Sequence, residues 1–279
     1  MKVKSQDRAK CIAVASGKGG VGKSLSVIHM ALCAVHEGKK VLILDGDFGM
    51  ANIDVILGLN TRNTIDDVLA DRMTLQEVIV KTPQGIDLIP SGSGIAHLST
   101  LSLAQRVLLI DQIEEVSCNY DYMFIDTAAG ISPNVLHLCS CADALITVTT
   151  PEPHAMTDAY GLIKVMAEDY SNTKVNLIVN RSVSKDQALK VSARIADVSA
   201  RFLGVDVNLL GHIPDDEMLL HSINSGSISQ QNVLQTHSGF AWNECLRQLA
   251  FVLEEGNKDG NWSRLLARSP RFEGLKSII

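Results

Sequence analysis

Short apolar runs that alternate with longer segments of helical period are the feature that most constrains the fold of this chain. Seven runs are rich in β-branched residues and lack the apolar–polar alternation of a half-exposed strand: CIAVAS, KVLILD, IDLIP, YMFID, ALITVTT, KVNLIVN and VNLLGHI. Strands that are apolar throughout are covered by helices on both faces. The chain is therefore predicted to be an α/β protein with a mostly parallel central sheet and helices on both faces.

Helical segments are predicted between these runs, at 23–37, 102–117, 133–141, 155–169, 186–203, 215–224 and 238–255. Ligands of such sheets bind beyond the carboxyl ends of the strands, so the residues after each run are the first candidates for chemistry. No linker-like composition divides the 279 residues. We expect a single domain over 1–255 and a C-terminal tail with amphipathic fragments over 256–279.

The overall charge and the cysteines weigh against several classes of function. A formal net charge of −6 argues against a surface devoted to phosphate backbones, so no direct nucleic-acid partner is expected. The six cysteines show no CxxC spacing and lie mostly in apolar runs, which fits reduced, buried thiols. No apolar run approaches the roughly 20 residues that cross a bilayer, and the N-terminus lacks an apolar signal core, so a cytoplasmic location is expected.

A glycine- and lysine-rich loop follows the first predicted strand directly and opens into a helical segment. Its sequence, GKGGVGKS, satisfies the phosphate-loop pattern GxxxxGK[ST]. The glycines let backbone amides face phosphate oxygens, Lys23 is expected to contact the β- and γ-phosphates, and the Ser24 hydroxyl is expected to bind Mg²⁺. The predicted cradle consists of Gly17, Lys18, Gly19, Gly20, Val21, Gly22, Lys23, Ser24 and Leu25.

Carboxylates follow two other predicted strands. Asp45 and Asp47 come at the tip of the second run, where a metal ion and an attacking water could be ordered, although a turn or capping role is an alternative. Asp126 ends the YMFID run and is predicted to be the magnesium carboxylate of a Walker B strand. Gly130, in the segment after it, is expected to supply an amide that senses the γ-phosphate.

Lys18 is not required by a basic phosphate cradle, and the stretch KGGVGKS resembles the signature of the MinD/ParA family of deviant Walker ATPases. The resemblance implies a three-layer P-loop NTPase fold, ATP and Mg²⁺ as cofactors, and slow, partner-stimulated ATP hydrolysis. It also implies that Lys18 reaches the phosphates of a second copy in an ATP-bound homodimer. Asp47 would position the hydrolytic water, and Asp45 would lie near the Mg²⁺ shell.

Adenine recognition is expected at the ends of two further strands. Asn180 and Arg181 follow KVNLIV, and Pro214 and Asp215 follow VNLLGHI. Both places resemble the base-binding positions of the same family, which implies that Asn180 bonds the base edge and that the segment from Pro214 packs beside it. A pure turn is the alternative for Pro214 and Asp215.

Several longer stretches resemble one branch of this family, the flagellar-number regulators known as FlhG or FleN. They are LDGDFGMANIDVILGL (44–59), IPSGSGIAHLS (89–99), FIDTAAGIS (124–132), TPEPHAMTDAYGLIKVM (150–166) and FLG…LGHIPDDE (202–217). The resemblance implies a regulator of flagellar number and placement. Its partners would be an SRP-type flagellar GTPase, flagellar switch components or a flagellar transcriptional activator.

The two ends of the chain depart from that branch. SQDRAK echoes only faintly the glutamine-containing motif with which some members activate the GTPase. In the tail, Trp262, Leu265 and Leu266 beside Arg264 and Arg268 form one amphipathic fragment; after Pro270 come Phe272, Leu275, Ile278 and Ile279 with Lys276. Peripheral contact with the inner face of the cell membrane is one interpretation, and packing on the chain's own domain or on a partner is the other.

Three other functions use the same nucleotide residues. A division-site or partition ATPase shares the whole site and differs only in the branch stretches. An iron–sulfur carrier needs cysteines that face each other across a dimer, and Cys139 and Cys141 are the candidates, although positions two apart on a helix face different ways. A pure interaction protein, whose conformation is set by bound ATP, is the third.

Overall fold

The computed structural model describes residues 8–48, 52–91, 101–216, 235–255, 262 and 264. Several sequence-based expectations lie wholly or partly outside these residues. They are the first residues of SQDRAK, residues 49–51 of LDGDFGMANIDVILGL, residues 92–99 of IPSGSGIAHLS, residues 217–224 of a predicted helix, and most of the tail.

One eight-stranded sheet forms the centre of the protein, in the order β3-β4-β2-β5-β1-β6-β7-β8. All strand pairs are parallel except β3 with β4, which confirms the mostly parallel sheet. The seven predicted strands are present, and the eighth, β3, is a two-residue edge strand too short to leave a sequence pattern. The strands are β1 Lys10–Ser16, β2 Val41–Gly46, β3 Val80–Lys81, β4 Ile86–Ile89, β5 Tyr122–Ala129, β6 Ala144–Thr149, β7 Lys174–Asn180 and β8 Asp206–Ile213.

The helices follow the predicted segments within a few residues. Their ends carry the expected signals: Ser132 caps α6 before Pro133, Ser184 caps α8, and α8 ends at Gly204 in the left-handed conformation. The short helices α2, α3 and α4 were not predicted. The described helices are α1 Lys23–His36, α2 Ile53–Ile56, α3 Ile65–Leu69, α4 Leu75–Val78, α5 Leu103–Ser117, α6 Pro133–Cys141, α7 Pro153–Tyr170, α8 Lys185–Leu203 and α9 His237–Glu255.

Two hydrophobic clusters cover the two faces of the sheet and make the fold three-layered. Along β1, Ile12 and Val14 join the cluster with α1 and α9, whereas Ala13 and Ala15 join the cluster with α5, α6, α7 and α8. Both sets are fully buried, so the strand reads as a continuous apolar run. This matches the predicted P-loop NTPase architecture, in which β1 lies between β5 and β6 at the centre of the sheet.

The tail is fastened to the domain at Trp262 and Arg264. Trp262 is 1% exposed and belongs to the cluster on the α6 and α7 side, and Arg264 donates to the Ser140 carbonyl near the end of α6. Arg264 also lines a cavity of about 910 Å³ at the amino-terminal edge of the sheet, opposite the carboxyl ends of the strands. Trp262 is thus part of the core. It would have to leave the core before it could belong to the membrane-facing side that the tail pattern suggests.

None of the helices within the described ranges is long and apolar enough to span a bilayer. Five of the six cysteines are buried, and Cys118 is partly exposed. Cys139 and Cys141 are 2% and 0% exposed inside the core. Neither thiol can meet a second copy at the surface, so the structure gives the iron–sulfur alternative no support.

Candidate nucleotide-binding site

The phosphate loop, residues 17–24, joins β1 to α1 in a shape that only glycine adopts freely at two positions. Gly20 has φ 77° and Gly22 has φ 93°. Gly22 is the residue before α1 and has no side chain with which to cap the helix, and the first turn of α1 contains no acidic residue. The N-terminus of α1 therefore presents amide groups and the positive end of the helix dipole to an anion.

Lys23 points into the domain. Its ammonium lies 2.5 Å from Asp126 Oδ1 in the second half of β5, which continues to Ala129, and both side chains are nearly inaccessible, at 9% and 2% exposed. Burial raises the pKa of Asp126, and the Lys23 charge and hydrogen bonds from Lys23 and Ser24 act against this. Lys23, Ser24 and Asp126 therefore meet in one place, as the sequence predicted.

Asp45 joins the same place from the neighbouring strand. Its Cα pairs with that of Asp126 in the register of β2 and β5, and its carboxylate accepts hydrogen bonds from the amides of Asp47, at 3.1 Å, and Ile53, at 3.4 Å. Burial and the nearby Asp126 raise the pKa of Asp45 to about 7. Two buried carboxylates beside a serine hydroxyl and an anion-binding helix end suit Mg²⁺, which favours oxygen ligands together with phosphate.

Asp47 lies just after β2, half-buried, close enough to Asp126 to raise the pKa of that carboxyl. Its backbone carbonyl accepts a hydrogen bond from Ser91 Oγ, so the loop after β2 is tied to the loop after β4. This location places Asp47 at the edge of the same site. Its action on a water molecule stays a prediction.

Lys18 is exposed and has a different partner from Lys23. Its ammonium is 2.9 Å from Glu152 Oε2, and the two side chains are 41% and 61% exposed. Glu152 follows β6 and directly precedes α7, and the sequence analysis gave it no role. The rule that chemistry gathers after the carboxyl ends of strands would have found it, because β6 is the neighbour of β1.

Gly130 differs from its predicted role in this structure. Its amide donates to the Ser16 carbonyl at 2.8 Å, and its φ is 92°. A phosphate could receive that amide only after the bond to Ser16 is broken. Gly130 is thus held against the end of β1, directly before the phosphate loop, and γ-phosphate sensing by its amide stays a prediction that requires this bond to break.

Asn180 contacts the phosphate loop instead of standing free for a base. Its Nδ2 donates to the Val21 carbonyl at 2.8 Å, and its Oδ1 accepts from the Arg181 amide at 2.9 Å. A Cβ at Gly22 would overlap this amide group, so the loop and Asn180 are in direct contact. An amide has a second N–H and a second lone pair, so contact with adenine stays a prediction alongside the observed role in holding the loop.

The other predicted adenine residues lie where the sequence placed them, after β7 and β8. Arg181 is exposed and has φ 54°, a left-handed conformation that is uncommon outside glycine. Pro214 is partly buried and Asp215 is exposed. The residue after them, Asp216, accepts hydrogen bonds from the amide and hydroxyl of Ser238, so this loop is fixed to the start of α9.

The fold has three layers, a phosphate loop after the central strand β1, and paired carboxylates on the neighbouring strands β2 and β5. These features define a P-loop nucleoside triphosphatase. A family model described as an AAA domain matches residues 9–179. The antiactivator FleN of Pseudomonas aeruginosa is 36% identical over 78% of this chain and 78% of its own length. The flagellum site-determining protein YlxH of Helicobacter pylori is 32% identical over 80% of this chain and 76% of its own.

Among solved structures, MinD in the MinC:MinD cell division complex of Aquifex aeolicus superposes with a TM-score of 0.68 at 27% identity, covering 87% of this chain and 96% of that one. The chain belongs to the MinD/ParA family of P-loop ATPases, near the FlhG/FleN branch. It is a MinD-like ATPase, and its nucleotide is ATP.

Proposed function

We propose that this ATPase is a molecular switch that forms a homodimer with ATP and regulates flagellar number and placement. The observation that carries the dimer is the divergence of the two lysines of the phosphate loop. Lys23 is buried against Asp126, whereas Lys18 is held at the surface by Glu152. A loop lysine that lies outside its own cradle is placed to act on a second molecule.

The relatives favour the flagellar role. Two relatives each match more than three quarters of this chain. One is named the antiactivator FleN, and the other is named the flagellum site-determining protein YlxH. The proposed partners are accordingly an SRP-type flagellar GTPase, flagellar switch components or a flagellar transcriptional activator. The site residues proposed for ATP and Mg²⁺ are those named above, with Lys18 and Asp47 acting on the phosphates and the attacking water.

Light scattering with ATP and with ADP tests the switch. An Asp47→Ala background slows hydrolysis, so the ATP state lasts through the measurement. We expect a dimer with ATP only, and we expect Lys18→Ala to bind ATP yet remain a monomer. A Lys18→Ala protein that dimerises normally with ATP would refute the proposed role of Lys18.

A septum-site role is the second candidate, because a Synechocystis protein named MinD is 33% identical over 86% of this chain. Deletion of the gene in its own host separates the two. A change in the number or position of flagella with normal division supports the flagellar role. Displaced septa with normal flagella would assign the chain to division-site selection instead.

Peripheral membrane contact through residues 256–279 is a further part of the proposal. Cosedimentation with vesicles of anionic lipid, with ATP and with ADP, tests it on the full chain. Binding that requires ATP and is lost when residues 265–279 are removed supports it. Equal sedimentation of the full and shortened chains would assign the tail to the domain alone.

A further inference from the structure

We propose that Thr127 is a positioning residue for Asp126, the residue directly before it in the sequence. The buried hydroxyl of Thr127 fixes β5 to β1 at a bulge. The segment that carries Gly130 can therefore leave β1 while Asp126 keeps its place beside Lys23. The inference concerns the nucleotide site of a single chain, and it depends neither on the proposed dimer nor on a flagellar role.

The register between β1 and β5 shifts by one residue directly after Asp126. Val14 of β1 pairs with Asp126, and the next pair is Ser16 with Ala129. Between these two pairs β5 contains two residues and β1 contains one, so β5 has a β-bulge. Bulges are rare in parallel pairs and common beside active sites, where they end the pairing of a strand or redirect a side chain. The bulge thus separates Asp126 from the part of β5 that leads to the next loop.

The Thr127 side chain joins the two strands at this bulge. Its Oγ1 donates to the Val14 carbonyl of β1 at 3.1 Å, and the carbonyl of Ala128 in β5 lies at the same distance. The one proton of the hydroxyl is shared between these two acceptors, so it keeps a partner at Val14 when the residues beyond it move. Thr127 is fully buried, so bulk water does not compete for this bond.

The two sides of Thr127 differ in how firmly the fold holds them. Residues 123–126 are buried and pair with both β1 and β2. Strand β2 ends at Gly46, the partner of Thr127, so β2 offers no pairing to the residues that follow. Ala129 is exposed and Gly130 is only partly buried. Local opening requires the least free energy where few contacts are buried, so the segment after Thr127 is the part of β5 that opens first.

The nucleotide site requires opposite behaviour of the two sides. The Asp126 carboxylate pairs with Lys23 and lies on the strand beside Asp45, an arrangement that suits Mg²⁺ together with phosphate. The Gly130 amide can serve a phosphate only after it leaves the end of β1. A bond from β5 to β1 between these two residues permits the second movement and prevents the first. The Thr127 hydroxyl makes that bond.

Hydrogen exchange of the nucleotide-free protein tests the boundary at Thr127. Mass spectrometry with fragmentation separates residues 123–127 from residues 128–130. In the parent chain we expect the second group to exchange at least about tenfold faster than the first. Thr127→Val removes the hydroxyl at nearly constant volume. It is expected to speed exchange of residues 123–126 by about 2- to 12-fold, the effect of one net hydrogen bond on an equilibrium.

Two variants control for the loss of a buried hydroxyl as such. Thr147 is a fully buried threonine of β6, the other neighbour of β1, and it pairs with Ala15 opposite the bulge. Its hydroxyl has no hydrogen-bond partner among the residues that the structure describes. Thr147→Val is therefore expected to leave exchange of β5 unchanged. Thr127→Ser keeps a hydroxyl and is expected to restore the exchange of the parent.

Calorimetry of ADP binding, with and without Mg²⁺, tests whether the boundary serves Asp126. Thr127→Val is expected to lose about 2- to 12-fold of the affinity that Mg²⁺ adds, and to lose less without Mg²⁺. Thr127→Ser is expected to match the parent under both conditions. An equal loss with and without Mg²⁺ would overturn the positioning of Asp126.

Two results of the exchange measurement would also overturn the inference. One is a parent chain in which protection does not fall between residues 126 and 128, a result that needs no variant. The other is a Thr127→Val protein in which exchange rises equally in residues 123–126 and in residues 175–179 of β7, because a uniform rise reports lower global stability.

Discussion

Asp45 and Asp126 occupy paired positions on the neighbouring strands β2 and β5, so two buried carboxylates lie side by side at the carboxyl edge of the sheet. Lys23 balances one of them. The hydrogen bonds that the Asp45 carboxyl accepts from described residues come from backbone amides, among them those of Asp47 and Ile53. The pKa of Asp45 is raised to about 7 by burial and by Asp126. The ionised Asp45 carboxylate therefore lowers the free energy of unfolding of the free protein, at a position suited to a metal ion.

Asp45→Asn is therefore expected to stabilise the free protein while it weakens Mg²⁺-ATP binding. Because the folded-state pKa is raised from 3.8 to about 7, ionising Asp45 costs stability as the pH rises through this range. The variant should gain roughly 2–4 kcal/mol above pH 7, and the gain should vanish towards pH 4. Urea unfolding without Mg²⁺ at several pH values measures this, with exposed Asp111→Asn as the control; a variant less stable than its parent at pH 8 would contradict it.

Asp47→Ala is expected to slow ATP hydrolysis by about 10²- to 10⁴-fold, the usual contribution of a group that positions or deprotonates a nucleophile. ADP binding should change little, because Asp47 lies at the edge of the site beyond the carboxylates of β2 and β5. Phosphate release measured in single turnovers tests the rate, and calorimetry tests the affinity. Hydrolysis at the parent rate would show that another group orders the water.

Asn180→Ala distinguishes two roles of that side chain. Because its amide holds the Val21 carbonyl of the phosphate loop, we expect its loss to weaken ATP and GTP binding by similar factors. Loss of a base contact would instead weaken ATP alone and reduce the preference for adenine. Competition of both nucleotides against a fluorescent analogue measures the ratio, and a selective loss of ATP affinity would support the base-reading role.

His29→Leu is expected to reduce the acid sensitivity of the fold. His29 is fully buried on α1, stacks on Trp242 of α9, and its pKa is lowered from 6.5 to about 4, chiefly by burial. Because the pKa of His29 is lower in the folded state, its titration does not affect the free energy of unfolding above about pH 6.5. As the pH falls from there towards 4, the free energy of unfolding decreases, by about 2 kcal/mol at pH 5. The variant should lose that part of the pH dependence in urea unfolding.

The matched control for this prediction is His36→Leu, which changes an exposed histidine at the end of the same helix. It should keep the pH dependence of the parent. His137 also has a lowered pKa, from burial and from Arg106, so some acid sensitivity remains in both variants. An identical pH dependence in His29→Leu and the parent would exclude His29 as its source.

The strands and the phosphate loop could be predicted because their signals are local. A strand buried on both faces must be apolar along its length, as β1 is, and a loop that turns amides towards phosphate needs glycine where φ is positive, as at Gly20 and Gly22. The carboxylates of Asp45 and Asp126 could be predicted for the same reason, since each ends an apolar run of the sequence. For these two residues, the local sequence alone was enough to predict a place in the site.

Other features depend on which elements become neighbours, and this information is not local. Glu152 bonds Lys18 only because β6 lies next to β1, and Asn180 reaches Val21 across 159 residues. Trp262 was assigned to an amphipathic fragment because an indole fits a membrane face and a protein core equally well. In the structure the indole belongs to the core cluster on the side of the sheet that α5 to α8 cover.

The fastening of Trp262 and Arg264 to the domain sets the reach of the last residues. Residues 265–279 follow it in the sequence, and a segment of that length extends at most about 50 Å. Arg264 contacts Ser140, near the C-terminal end of α6. The other end of α6 comes shortly after Gly130, whose amide bonds to the Ser16 carbonyl. Any membrane or partner that these residues contact must come within one short tether of the sheet's amino-terminal edge, on the side of the protein that faces away from the nucleotide.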